Sequence, residues 1–256
     1  MTARLLVLVL LAAAAPARGS GVVVHSKAPA GDTTAYLDGK RIRFDDPKDS
    51  RAQITIFDGE AHRLLQLDTR AHTYWETTEA DGKRLRARFD AALASLPPEQ
   101  RKQFEAAMKQ RPQAPAKHDL KFVALGSHQD VAGFGCEGYR LLRDGKPEKE
   151  GCYIPWSGKA VARSDLEGLK ELGKFSRAIL ENAFGAAAAG IRTAPFLAEM
   201  ETAPGFPAVL DELERGGRRN VHRLVKLEHA QLPASTFAIP AGYRKVENPL
   251  LRDLAG

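Results

Sequence analysis

The chain has 256 residues, 43% of them apolar, and a formal net charge of +6. That length can bury a core, as one large domain or two small ones. Basic and acidic residues are interspersed, and no stripe of Lys and Arg alternates with aromatics. Nucleic acid is therefore not an expected partner, whereas contact with an anionic membrane face is.

The first segment reads MTARLLVLVLLAAAAPARGS. Arg4 supplies a positive start, Leu5 to Ala15 an apolar run, and Ala15-Pro16-Ala17 small residues for a peptidase. This is the pattern of a secretory signal peptide over residues 1–19, too short to span a bilayer. The mature chain is expected in the periplasm, neither transmembrane nor lipid-anchored, as no cysteine lies near the cleavage site.

Residues 22 to 75 repeat one pattern: short β-branched or aromatic runs separated by Asp38-Gly39, Asp58-Gly59 and Asp68-Thr69. This predicts an antiparallel meander of about six strands. Register is set by the links. A link from Asp58 to Ala61 places Ile54 opposite Leu65 and Ala52 opposite Leu67. A link from Asp68 to Ala71 places Leu65 opposite Tyr74. One apolar face would then carry Ile42, Phe44, Ala52, Ile54 and Ile56, continuing through Leu65, Leu67 and Tyr74. Arg41, Arg43, Gln53 and Thr55 would fall on the other face, where Phe57, Leu64 and Trp75 break the pattern. One apolar and one mixed face describe a sheet solvated on one side.

From Gly82 to Arg111 helix formers dominate. Leu85, Phe89, Leu93 and Leu96 recur at helical spacing, and Pro97-Pro98 divides the run, so a helical hairpin is expected, ended by Pro112 and Pro115. Strands resume at Leu120. A further helix over about 164–188 opens on Ser164 and Glu167, which read as a capping box, and carries Leu169, Leu172, Phe175, Ile179 and Ala183 on one face. Residues Phe206 to Val225 predict another hairpin turning at Gly216-Gly217. The stretch Leu232-Pro233 through Tyr243 closes the domain.

The only cysteines, Cys136 and Cys152, flank an Asp144-Gly145 hairpin signal. Folding there brings Cys136 opposite residue 152 or 153, within reach of a disulfide given a one-residue bulge. Two buried thiols, or a metal or redox site, are the other readings, although no CxxC or HxxxH accompanies them.

Chemistry-bearing motifs are scarce. There is no GxSxG elbow, no P-loop and no dinucleotide-binding glycine pattern, so neither bond chemistry nor a cofactor is expected. His72, on the predicted apolar face beside Leu67, reads as a hydrogen-bonded structural histidine rather than a catalytic or metal-binding one. Asp45, Asp46 and Asp119 read as turn and surface carboxylates. Tyr74, Trp75, Tyr153 and Trp156 are either a ligand-facing cluster or ordinary core aromatics.

The order of these pieces resembles a family. A meander with Leu67-Asp68 and Thr73-Tyr74 is followed by helices, then by Val131-Ala132-Gly133, Cys136 and Tyr139, then by Leu232-Pro233-Ala234-Ser235-Thr236-Phe237 and Pro240-Ala241-Gly242-Tyr243. This resembles a secreted bacterial family of unknown function, related to the lipoprotein-carrier superfamily of LolA-, LolB- and LppX-like proteins. The resemblance covers most of residues 21 to 247. It implies an α+β fold in which a curved antiparallel sheet forms an unclosed barrel, with helices over its concave face. It also implies an apolar cavity for a lipid or lipoprotein acyl chain. The expected lining is Ile42, Phe44, Ile54 and Ile56 with Leu65, Leu67 and Tyr74, faced by Leu172 and Phe175. The alternatives are an envelope structural or interaction protein with a filled core, and an enzyme of unknown class.

Overall fold

The structure, a computed structural model, describes residues 21–47, 53–110, 118–157, 160–185, 195–214 and 216–252. The expected signal peptide, Ala52, Pro112, Pro115 and the last residues, 186–188, of the helix expected over 164–188 lie outside them.

The meander forms as six strands: β1 (Gly21–Ala28), β2 (Gly31–Asp38), β3 (Arg41–Asp45), β4 (Ile54–Asp58), β5 (Arg63–Asp68) and β6 (Thr73–Thr78). Helices α1 (Glu79–Ser95) and α2 (Pro98–Gln110) follow, the hairpin that the proline pair predicts. Then come β7 (Leu120–Val131), β8 (Phe134–Arg143), β9 (Lys146–Pro155), α3 (Glu167–Phe184) and α4 (Pro195–Thr202). The strands β10 (Gly205–Glu214) and β11 (Gly217–Ala230) make the hairpin expected at Gly216-Gly217, and a short β12 (Arg244–Lys245) ends the sheet.

All twelve strands join one unclosed sheet in the order β12-β6-β5-β4-β3-β2-β1-β11-β10-β9-β8-β7. Every neighbouring pair is antiparallel except β12 with β6. The fold is thus α+β, built on a large open sheet. Its free edge, β7, carries a bulge at Leu125-Gly126-Ser127, where Ala124 pairs Tyr139 and His128 pairs Glu137. Such bulges bend an edge strand away from foreign partners.

Two links in the meander are one turn used twice. Asp58 Oδ1 accepts from the Glu60 and Ala61 N–H groups, and Asp68 Oδ1 from those of Arg70 and Ala71. His62 and His72 close the two turns at φ of +48°. Each link therefore runs one residue later than the sequence predicts, from 59 to 62 and from 69 to 72. Ile54 pairs Leu67, Ile56 pairs Leu65, and Leu67 pairs Tyr74. The shift is two residues, so the shared face of β4, β5 and β6 survives.

The β3–β4 pairing does not follow the expected register. Ile42 pairs Phe57, Arg43 pairs Ile56 and Phe44 pairs Thr55. Ile42 and Phe44 therefore share a face with Phe57 and Leu64, not with Ile54 and Ile56. The sequence misleads because β4 carries apolar residues on both faces, Ile54 and Ile56 on one and Phe57 on the other, and alternation cannot choose a face for such a strand.

Both faces of the sheet around β3, β4 and β5 are in fact covered. On one, α3 lies across β3 and β4, and its Phe175 ring centroid is 5.3 Å from that of Phe57. Val22, Val24, Leu37, Ile42 and Phe57 join Leu166, Leu169 and Phe175 in one core with the C-terminal half of the sheet. The Gly168 N–H donates to the Gly39 carbonyl (2.9 Å), pinning the helix start to the β2–β3 turn. A further helix, α1, packs on α3 where Gly82 allows it; a Cβ there would stand 2.5 Å from the Ile179 carbonyl oxygen. On the other face the tail between β11 and β12 covers Ile56, Leu65 and Leu67 with Phe237. Arg41 and Arg43, expected in solvent, lie under this tail. Arg41 sits 4.7 Å over the Phe237 ring, and Arg43 donates to the Thr236 carbonyl (3.0 Å).

Helix α3 is not opened by Ser164 and Glu167. A 3₁₀ turn, Arg163–Leu166, precedes it, and the Asp165 carboxylate accepts from the Ala162 N–H at 2.8 Å.

Candidate functional site

The nine apolar residues expected around one cavity divide between two faces. Ile42 and Phe44 meet Leu172 and Phe175 beneath α3. Ile54, Ile56, Leu65, Leu67 and Tyr74 meet Phe237, Leu232 and Ile239 beneath the tail. The sheet lies between the groups, so they do not line a common space. Ile42, Ile56 and Leu67 are fully buried, with 0% exposure.

The aromatic residues also separate. Tyr74 and Trp75 are neighbours on β6 whose side chains point to opposite faces, and Trp75 Nε1 donates to Gln66 Oε1 (3.0 Å). Tyr153 and Trp156 lie at the far end of the sheet. The Tyr153 ring packs against Phe122 and Tyr139. Burial, and after it the Glu199 carboxylate, holds its phenol well above the ordinary value. His72 belongs to no apolar face; it is an exposed turn residue packed edge-on against Tyr243. Asp45 is paired with Arg43 (2.6 Å). Among the described residues no group of three or more His, Cys, Asp or Glu is placed to hold a metal ion.

Cys136 and Cys152 form a disulfide with Cα atoms 5.5 Å apart. Asp144 and Gly145 take the two positive-φ positions of the turn (+52° and +75°), as the Asp-Gly signal requires. Cys152 faces Gly138 rather than Cys136, so the bridge runs diagonally between β8 and β9, and the expected bulge sits between Leu141 and Leu142. Closing a loop of this size constrains the unfolded chain by about 3 kcal/mol. Both cysteines are buried in the main core.

An apolar recess does exist, away from the expected place. It is a groove of about 280 Å³ between α3 and α4. Its floor is Leu166, Leu169, Ala198 and Met200. Gly173 belongs to its lining on the α3 side. Cations occupy the rim: Arg163, Lys170, Lys174 and Arg177, against one carboxylate, Glu201.

Each wall is fixed by named contacts. Glu199, buried on α4, accepts from Arg143 Nη2 (2.6 Å) and from Lys149 Nζ (2.8 and 3.0 Å), fastening α4 to the β8–β9 hairpin. Arg143 is shared with Glu148. Arg163 closes one end of the groove. Its guanidinium donates to the Glu201 and Ala203 carbonyls at 2.9 and 2.8 Å, and Trp156 Nε1 reaches Ala203 at 2.9 Å. These donors satisfy carbonyls at the end of α4 that no helical partner can reach. The same guanidinium lies 4.9 Å over the Trp156 ring.

On α3, Lys174 donates to Glu171 (2.8 Å), which raises the lysine above its ordinary pKa and lowers the carboxyl below its own. Arg177 is 3.9 Å from Glu181. Lys170 has no ion pair among the described residues.

Sequence reasoning missed α4 altogether, although Pro195 occupies the first helical position that proline favours. The spacing of Lys170, Lys174 and Arg177 at i, i+4 and i+7 was readable as a basic stripe beside the apolar one.

No family model matches the chain, and neither does any curated protein. The solved structures it is similar to include an uncharacterized conserved protein from Thermus thermophilus, at 6% identity and a TM-score of 0.42, over 90% of this chain and 91% of that one. PNGF-II, in two crystal forms, is similar at 8% and 6% identity with TM-scores of 0.34 and 0.33. The match takes in 93% of this chain but 32% and 33% of the PNGF-II chains. Likenesses this distant assign neither activity nor ancestry. No helix among the described residues is long and apolar enough to cross a membrane.

Proposed function

We propose that the protein is an exported, periplasmic binding protein that holds a hydrophobic ligand without bond chemistry, at the α3–α4 groove rather than between sheet and helices. The observation that carries this reading is the groove itself, a recess of about 280 Å³ lined by Leu166, Leu169, Gly173 and Met200. Its size, about 280 Å³, falls just below the range of about 300–1,000 Å³ common for ligand pockets. Each CH₂ that a ligand buries there contributes about 0.8 kcal/mol. The disulfide supports an oxidising compartment.

The test is Gly173→Leu. The new side chain fills the groove, adds no charge, and replaces a poor helix former by a good one, so folding is retained. Binding of a fluorescent fatty acid to the wild type, lost in the variant while circular dichroism stays unchanged, supports the site. Unchanged binding removes it. A second reading, an envelope structural or interaction protein, is favoured by the filling of both sheet faces around β3 to β5; it takes over if the wild type binds no amphiphile.

A further inference from the structure

The groove has a chemical polarity that the binding reading alone does not use. Its floor is apolar, whereas its rim on α3 is a cationic stripe of Lys170, Lys174 and Arg177, spread over about 10 Å of helix. Arg163 adds a fourth cation at the closed end, and its side-chain donors are directed to the Glu201 and Ala203 carbonyls. Lys174 and Arg177 are paired with carboxylates on their own helix, Glu171 and Glu181, while Lys170 forms no ion pair among the described residues. Among the described residues of the lining, Glu201 is the one acid beside four cations.

From this we infer that the ligand is a single-chain anionic amphiphile, a carboxylate of the fatty-acid type. Its chain lies on Leu166, Leu169 and Met200, and its head rests on the α3 stripe, nearest Lys170. The inference rests on the binding reading above. Two features argue for it. A neutral apolar ligand would gain nothing from the stripe, whereas an anionic head gains charge-assisted hydrogen bonds from lysine ammonium groups. The volume suits one chain, not the paired chains of a phospholipid.

The experiment is calorimetric titration of the purified full chain with laurate, methyl laurate and dodecyltrimethylammonium, each below its micelle concentration. The same tail thus carries an anionic, a neutral or a cationic head. The expected result is laurate binding at least about tenfold tighter than the ester, with the cation weakest. The preference should narrow as salt is raised. In the folded triple variant Lys170→Gln, Lys174→Gln, Arg177→Gln, laurate should weaken to the level of the ester, whose own affinity is unmoved. Equal binding of all three ligands to the wild type overturns the head-group inference and leaves the binding reading standing. Binding of none overturns both. Phosphatidylcholine vesicles with and without phosphatidylglycerol form the last arm. Adsorption to the anionic vesicles that Gly173→Leu leaves intact, without laurate binding in solution, would replace the groove by a membrane surface and also overturn the inference.

Discussion

Glu199→Gln is the most informative single substitution, because Glu199 holds one wall of the groove through groups that are themselves nearly dry. The side chains of Glu199, Arg143 and Lys149 are 8%, 10% and 15% exposed. Glutamine preserves the shape of the side chain but removes its charge, and its amide group can turn only one oxygen toward two cations. Stripping one partner from a buried ion pair costs about 3–5 kcal/mol. Here the lower end applies, since Arg143 keeps Glu148 and the Lys149 ammonium can reach some water. A loss of about 3 kcal/mol corresponds to a fall in Tm of about 6–12 °C for a domain of this size. Thermal unfolding followed by circular dichroism measures it. A double-mutant cycle with Lys149→Met should give a coupling energy of about 1 kcal/mol or more. A Tm within about 2 °C of wild type, or strict additivity in the cycle, would refute the idea that this carboxylate fastens α4 to the sheet.

Phe237→Ala tests the second covered face: it should cost about 3–5 kcal/mol and loosen the tail over Ile56, Leu65 and Leu67, seen as new binding of a hydrophobic dye. Unchanged dye binding with a loss below about 1 kcal/mol would show that the tail is not their cover. His222 gives a pH signature. Burial depresses its imidazole pKa below the ordinary value, only partly offset by its hydrogen bond to the Pro207 carbonyl. Above about pH 6.5 it is neutral folded or unfolded and contributes no slope. As pH falls below that value the unfolded chain protonates first, and stability is lost. His222→Gln should therefore lose less stability than wild type between about pH 7 and pH 5; parallel curves from urea titrations at each pH would contradict this.

The legible parts of the fold were those written locally. Asp-Gly and Asp-Thr turns marked the meander, Pro97-Pro98 split the helical hairpin, and Asp144-Gly145 brought two cysteines together. What escaped was information held in pairing. The apolar run of β4 carries no sign of which neighbour its odd residues face, and the β3–β4 connection left parity undetermined. Arg41 and Arg43 looked solvated because their cover, Phe237 and Thr236, arrives nearly two hundred residues later. The groove escaped for a related reason: half of it belongs to α3, whose stripes were visible, and half to α4, an eight-residue helix held by Glu199 rather than by its own periodicity.

The placement of β1 has a consequence for how the chain is made. Strands β2 to β6 lie consecutively on one side of it, and β7 to β11 are consecutive on the other. Each block can form from neighbours in sequence as it emerges. The seam between them cannot, because Gly21 pairs with Ala230 and Val24 with Leu227. Until β11 has been synthesised and delivered, Val22 to Val24 offer an open edge with no partner. Zipping that seam closes a loop of roughly 200 residues, the kind of distant contact that slows folding. Under the exported reading proposed above, the same constraint would apply at the membrane, where the first strand would arrive on the far side well before the last long strand that must bind it.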